Sequence, residues 1–204
     1  DDQRAAADAR YFFEDLFMDG VVLGRVDERW DAAPGTAPVR PDLAGRVDFI
    51  GLNYYFRFRA KHVPLGDVVL GFLSPHMSFD MLAPFEAEPR GIHTAIMRAA
   101  RYGKPIYVTE TGTGQDDEAR GAAWMVKTLR EVRRAMNDGA DVRGYFPWTL
   151  TDNYEWNIGA RMHMGLYAVD PVTKARRIRE AGRAYGTMAK ARAVPASLEA
   201  RYAD

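Results

Sequence analysis

Pro105-Ile106-Tyr107-Val108-Thr109-Glu110-Thr111-Gly112-Thr113-Gly114 is the stretch on which the reading of this chain turns. Ile106 to Thr109 is a short apolar, β-branched run, the composition of a buried strand. It leads straight into a carboxylate, Glu110, and the glycines Gly112 and Gly114 break the pattern at once. A strand that stops so abruptly presents Glu110 at its tip. A carboxylate there is costly to desolvate unless it has donors or a task. In barrel and other α/β enzymes, chemistry sits at the C-terminal ends of parallel strands. The plainer alternative is a capping glutamate that opens the next loop.

Working outward, the stretch is flanked by helices. Ile92 to Tyr102 carries Ile92, Ala95, Ile96 and Ala99 on one face, with Gly103 as its end. On the other side, Asp116 or Asp117 caps a helix running to about Asp138, with Ala122, Met125, Val126, Leu129, Val132 and Met136 as its buried stripe and Gly139 as its stop. Val142 to Leu150 reads as a further strand, running into Thr151-Asp152-Asn153-Tyr154-Glu155-Trp156. Gly144, Phe146 and Trp148 share a face there, and Pro147 demands a local irregularity because it cannot donate to a ladder.

Val47 to Phe56 reads as a third strand. Alternation puts Asn53 and Tyr55 on one face and Leu52, Tyr54 and Phe56 on the other; an ordinary aromatic-rich strand is the alternative. Asp1 to Gly20 reads as a helix with Ala6, Ala9, Phe13, Leu16 and Phe17 on one face and Gly20 as its stop. Residues 31–42, with Pro34, Gly35, Pro38 and Pro41, read as a loop. Residues 61–90, with Pro64, Gly66, Gly71, Pro75, Pro84 and Pro89, read as a long irregular segment of the kind that is usually functional. A last helix, about Arg179 to Arg192, packs through Ala181, Tyr185 and Met188. Helix and strand alternate, which implies an α/β fold of parallel strands joined by helical crossovers.

The chain has 204 residues, which suits one domain or part of a larger one. Lys+Arg and Asp+Glu both number 28, a balance that points away from nucleic acid and anionic membranes. The basic run Lys174, Arg176, Arg177 and Arg179 is expected to be a solvated face. With no cysteine, disulfides and thiolate metal sites are excluded. No run is long and apolar enough to span a bilayer, and no signal-peptide pattern is present, so a cytoplasmic location is expected. The first residue is Asp1, and the chain is expected to begin after a cleavage, a trimming or a truncation. There is no phosphate loop, dinucleotide fingerprint or metal-ligand spacing, and no cofactor or metal is expected. His62, His76, His93 and His163 are scattered and are expected to be surface or loop residues.

Parallel strands joined by crossovers place all their C-terminal ends on one side. Asn53, Tyr55, Glu110, Trp148, Asn153, Glu155 and Trp156 therefore gather at one rim. Indoles stack on the apolar faces of sugar rings, and carboxylates and amides bind ring hydroxyls. The segments Asp48-Phe49-Ile50-Gly51-Leu52-Asn53-Tyr54-Tyr55, Tyr107-Val108-Thr109-Glu110-Thr111-Gly112 and Gly144-Tyr145-Phe146-Pro147-Trp148-Thr149-Leu150-Thr151-Asp152-Asn153-Tyr154-Glu155-Trp156 resemble glycoside hydrolase family 1 in order and spacing. Met164-Gly165-Leu166-Tyr167-Ala168-Val169-Asp170 continues the likeness, whereas residues 61–90 match it poorly.

The resemblance implies a retaining β-glycosidase on a (β/α)₈ barrel, with this chain as its C-terminal part, strands six to eight. It implies Glu110 as catalytic nucleophile and Tyr55 as the phenol that hydrogen-bonds it. Asn53 would be a sugar-site amide, Trp148 the platform under the glycone, and Glu155 and Trp156 binders of its hydroxyls. It also implies a cis peptide at Trp148–Thr149. Three departures stand out. Thr111 replaces the usual asparagine, Met164 replaces the aromatic that usually closes the sugar site, and the acid/base motif Thr-x-Asn-Glu-Pro is absent with the earlier glutamine and His-Trp pair.

Retaining hydrolysis needs two carboxyl groups, so the expectation is a chain that binds a β-linked glycoside or oligosaccharide but needs an N-terminal half-barrel, from the same gene or a separate chain, to turn it over. The rivals are a non-catalytic sugar-binding module and a structural half-barrel that self-associates through its open sheet.

Overall fold

The computed structural model describes residues 2–29, 35–58, 85–156 and 159–202. Residues 31–34 of the expected proline-rich loop, most of the segment 61–90, His62 and His76 lie outside them. Contacts divide the chain into two compact units, residues 1–48 with 57–86 and residues 49–56 with 87–204.

In the first unit, α1 (Asp2–Arg10) runs through a π-helical turn, Tyr11–Asp15, into α2 (Leu16–Leu23). This corrects the expected buried face. A π turn widens the coil and shifts its phase, so Tyr11, Asp15, Asp19 and Val22 turn inward while Phe13 and Phe17 are 74% and 67% exposed. The Tyr11 hydroxyl donates to Asp27 Oδ2 at 2.7 Å. Gly20 is not the stop. The helix continues to Gly24, whose φ of 71° makes the left-handed cap, and a Cβ there would lie 2.6 Å from the Arg40 carbonyl oxygen. An antiparallel bridge joins Arg25 to Val39. Two short strands that sequence periodicity did not reveal, β2 (Arg57–Phe58) and β3 (Phe85–Glu86), pair antiparallel.

The second unit is built on a parallel sheet of β1 (Ile50–Tyr54), β4 (Ile106–Thr111) and β5 (Val142–Pro147), in that order. The crossovers are α3 (Gly91–Ala100) and α4 (Glu118–Asn137). Ile92, Ile96 and Ala99 of α3 are buried as their spacing requires, and Gly103 follows with φ 64°. Asp117 is the cap of α4 and accepts from Arg120 N at 3.0 Å. Its buried stripe holds Ala122, Met125, Val126 and Val132, but Met136 is 41% exposed and Ala135 is buried instead. The buried surface of α4 is wider than one stripe, with Trp124, Thr128 and Glu131 also inside.

Past the sheet, β6 (Tyr167–Val169) and β7 (Arg176–Ile178) form an antiparallel pair that the sequence reading did not include. The last long helix, α5 (Glu180–Ala191), packs on α4 through Ala181, Ala184 and Met188, with Leu166 and Tyr202 in the same cluster, and α6 (Ala196–Arg201) follows. Ile50, Tyr54, Ile106 and Val108 are buried on the helix side of the sheet. On its other side Phe49 and Phe146 are each 54% exposed, and Phe49 meets Tyr107 edge to face at 5.3 Å. Among the described residues no helix is long and apolar enough to cross a membrane.

Candidate active site

Glu110 owes its direction to residue count. Ile106 and Val108 are fully buried against the helices, so strict alternation would bury Glu110 beside them. The ladder does not alternate strictly. Leu52 and Asn53 are successive in β1, yet they pair with Val108 and Glu110. On the other edge, Val108 and Thr111 pair with Tyr145 and Pro147. Both neighbours thus register the same extra residue in β4, a bulge. After it Thr111 returns to the buried layer at 0% exposure, and Thr109 and Glu110 are left on the open side.

Tyr55, one residue past β1, donates its hydroxyl to Glu110 Oε2 at 2.6 Å. Burial, followed by the hydrogen bond and charge of Glu110 and then the charge of Glu155, pushes the phenol pKa far above its ordinary value. Tyr55 therefore stays protonated as a donor at any physiological pH. Asn53 Oδ1 accepts from Thr109 Oγ1 at 2.8 Å, so the amide braces the bulge.

Trp148 joins the same tip. Its backbone N–H donates to the Thr111 carbonyl at 2.8 Å, and its indole Nε1 donates to Glu155 Oε1 at 3.1 Å. The Trp148–Thr149 peptide is cis, as expected. Gly112 has to be a glycine because a Cβ would collide with the Trp148 carbonyl oxygen. Met164 is 7% exposed and packs over Gly112, and its carbonyl accepts from Thr149 N at 3.2 Å. Glu110, Tyr55, Asn53, Trp148, Glu155 and Met164 are thus linked by contacts through Thr109, Thr111 and Gly112. Trp156 stands apart, with 90% of its surface exposed. The remaining expected rim residue, Asn153, has its Oδ1 buried with no hydrogen-bond partner.

One pair was not foreseen. Arg179 was expected on a solvated face, but it is 6% exposed and grips Asp152 with both arms of its guanidinium, Nη1 to Oδ1 at 2.7 Å and Nη2 to Oδ2 at 2.8 Å. Asp152 also accepts from the backbone of Gly165 and Val169, and Arg179 donates to the Gly165 carbonyl. Burial alone would raise the Asp152 pKa; the Arg179 fork and the two backbone donors outweigh it and hold the carboxyl below its usual range. The pair ties the segment carrying Trp148 and Glu155 to the one carrying Met164. No local signal separates Arg179 from Arg177, because its partner lies 27 residues away. The expected surface character of His93 and His163 holds in part. Each pairs with a carboxylate, His93 with Asp138 at 2.8 Å and His163 with Asp116 at 2.7 Å. Among the described residues no cluster could hold a metal ion.

The sequence pattern that defines glycosyl hydrolase family 1 matches residues 1–194. A β-galactosidase of Sulfolobus acidocaldarius is 32% identical over 193 residues, covering 90% of this chain and 38% of that protein. Beta-glucosidase 47 of Arabidopsis thaliana is 33% identical, covering 86% of this chain and 36% of that protein. In fold, the chain superposes on a β-glycosidase from Pyrococcus horikoshii with a TM-score of 0.79 at 32% identity, covering 98% of this chain and 46% of that one. The chain therefore spans less than half the length of these relatives. The parallel strands and their helices are part of a (β/α)₈ barrel, the segment expected as strands six to eight. By its sequence pattern, its relatives and its fold, this chain belongs to glycosyl hydrolase family 1.

Proposed function

We propose that this chain carries the nucleophile of a β-glucosidase-like retaining glycoside hydrolase acting on terminal β-D-glycosides. The 2.6 Å hydrogen bond from Tyr55 to Glu110 at the end of a parallel strand supports the reading most directly. In this reading the Glu110 carboxylate attacks the anomeric carbon. The bond to the aglycone oxygen breaks, its electron pair leaves with that oxygen, and a glycosyl ester forms on Glu110. Tyr55 orients the attacking carboxylate. Trp148 lies under the ring, Asn53, Glu155 and Trp156 bind hydroxyls, and Met164 closes the sugar site.

The same mechanism needs a second carboxyl about 5–5.5 Å from the first to protonate the leaving oxygen and later activate water. Glu155 is engaged with the Trp148 indole, which suits sugar binding better than proton transfer. The acid/base would then come from an N-terminal half-barrel, and this chain alone would not turn over.

The test bypasses the missing acid. A 2,4-dinitrophenyl 2-deoxy-2-fluoro-β-D-glycoside has a leaving group that departs without protonation. Both glucoside and galactoside are used, since the relatives carry both names. The expected result is one glycosyl group on the peptide containing Glu110, none on Glu110→Gln, and no multiple turnover of an unactivated aryl glycoside. Saturable glycoside binding without labelling would instead favour a sugar-binding module. Efficient turnover by the isolated chain would overturn the two-part reading.

A further inference from the structure

A cleft of about 480 Å³ opens between the start of α3 and the C-terminal half of α4, lined by Arg90, Arg130, Glu131, Arg133, Arg134 and Asn137. Four arginines and one glutamate thus line it, a local excess of positive charge in a chain with no net charge. The carboxylate is buried and ion-paired: Glu131 is 4% exposed, with Arg134 Nη1 at 2.7 Å from its Oε2 and Arg130 Nε at 3.7 Å from its Oε1, although Oε2 accepts no well-aligned hydrogen bond. The nearby Asp138 carboxylate is turned to His93 at 2.8 Å, and Glu88 accepts from the Arg90 backbone N–H at 3.1 Å. No carboxylate pairs with the Arg133 side chain among the described residues.

Helix stability does not account for this arrangement. Arg130 lies three and four residues before Arg133 and Arg134, and like charges at those spacings destabilise a helix. A favourable position against the helix dipole is available only in the last turn, where Arg134 stands. Arg90 occupies the cap position of α3, where a small acceptor side chain is the usual choice; no side-chain cap is made, and a cation there opposes the dipole. What unites these residues is a cleft whose potential is positive from both walls, with guanidinium forks shaped for tetrahedral or planar oxyanions.

We propose that this cleft binds a small phosphate-type oxyanion, held between Arg133, Arg130 and Arg90 and buttressed from below by the Glu131–Arg134 pair. The site is independent of the glycosidase reading.

The test titrates the 204-residue chain with inorganic phosphate at constant ionic strength, sodium chloride making up the balance, and follows Tm. A saturable rise of about 4 °C is expected at phosphate ten times its Kd. Arg133 is exposed and both Glu131 pairs survive its replacement. Arg133→Glu should therefore still unfold cooperatively in chloride but lose the phosphate-specific rise above its own chloride Tm, and Arg133→Gln should weaken phosphate binding about tenfold. The absence of a phosphate-specific rise in the unaltered chain would overturn the site, as would a rise of the same size in Arg133→Glu.

Discussion

Removing the Tyr55 hydroxyl isolates what its hydrogen bond to Glu110 contributes. Hydrogen bonds to charged groups contribute about 1.5–3 kcal/mol, so Tyr55→Phe should slow the fluoro-glycoside labelling of Glu110 by about 10- to 100-fold, read from a mass-spectrometric time course. Asp152 and Arg179 make the second residue-scale prediction. The folded carboxyl of Asp152 is held below its unfolded value of about 3.9. The stability it contributes is therefore complete above that value and is lost as pH falls through the folded pKa. Thermal unfolding followed from pH 5 downward should show an acid-dependent loss that Asp152→Asn lacks. At neutral pH, Arg179→Ala leaves a buried carboxylate unpaired and should cost about 3–5 kcal/mol in denaturant unfolding.

Between elements, a tight point lies where the chain leaving β4 meets the chain leaving β5. Gly112→Ala would drive a methyl into the Trp148 carbonyl. A loss of about 1–3 kcal/mol is expected, together with altered tryptophan fluorescence as Trp148 shifts. The strands and helices at this junction were legible from the sequence because their apolar spacing is regular: α3 buries the residues its period picks out, and Asp117 caps α4. Other features escaped, the short β2–β3 and β6–β7 pairs among them. The π turn at Tyr11–Asp15 and the β4 bulge each insert a residue into a regular repeat, and nothing in the residue types announces it. The Asp152–Arg179 pair is a contact between distant segments, which no local period encodes. At the site itself, the Tyr55–Glu110 pair was foreseen from motif likeness, whereas the Trp148–Glu155 hydrogen bond and the brace from Thr109 to Asn53 came only with the structure.

For the molecule as a whole, the open face of the parallel sheet matters most. Phe49 and Phe146 are each 54% exposed there, on either side of Tyr107. Exposed apolar surface of this kind drives association, so light scattering should show concentration-dependent self-association that Phe49→Ser with Phe146→Ser reduces. The β4 bulge has a different kind of reach. Which way Glu110 faces depends on how many residues lie between Val108 and Thr111, not on what they are. Point substitutions at neighbouring positions can drift without turning the carboxylate around. A single-codon deletion in that tract would swing it toward the helices, so this site tolerates misspelling far better than miscounting.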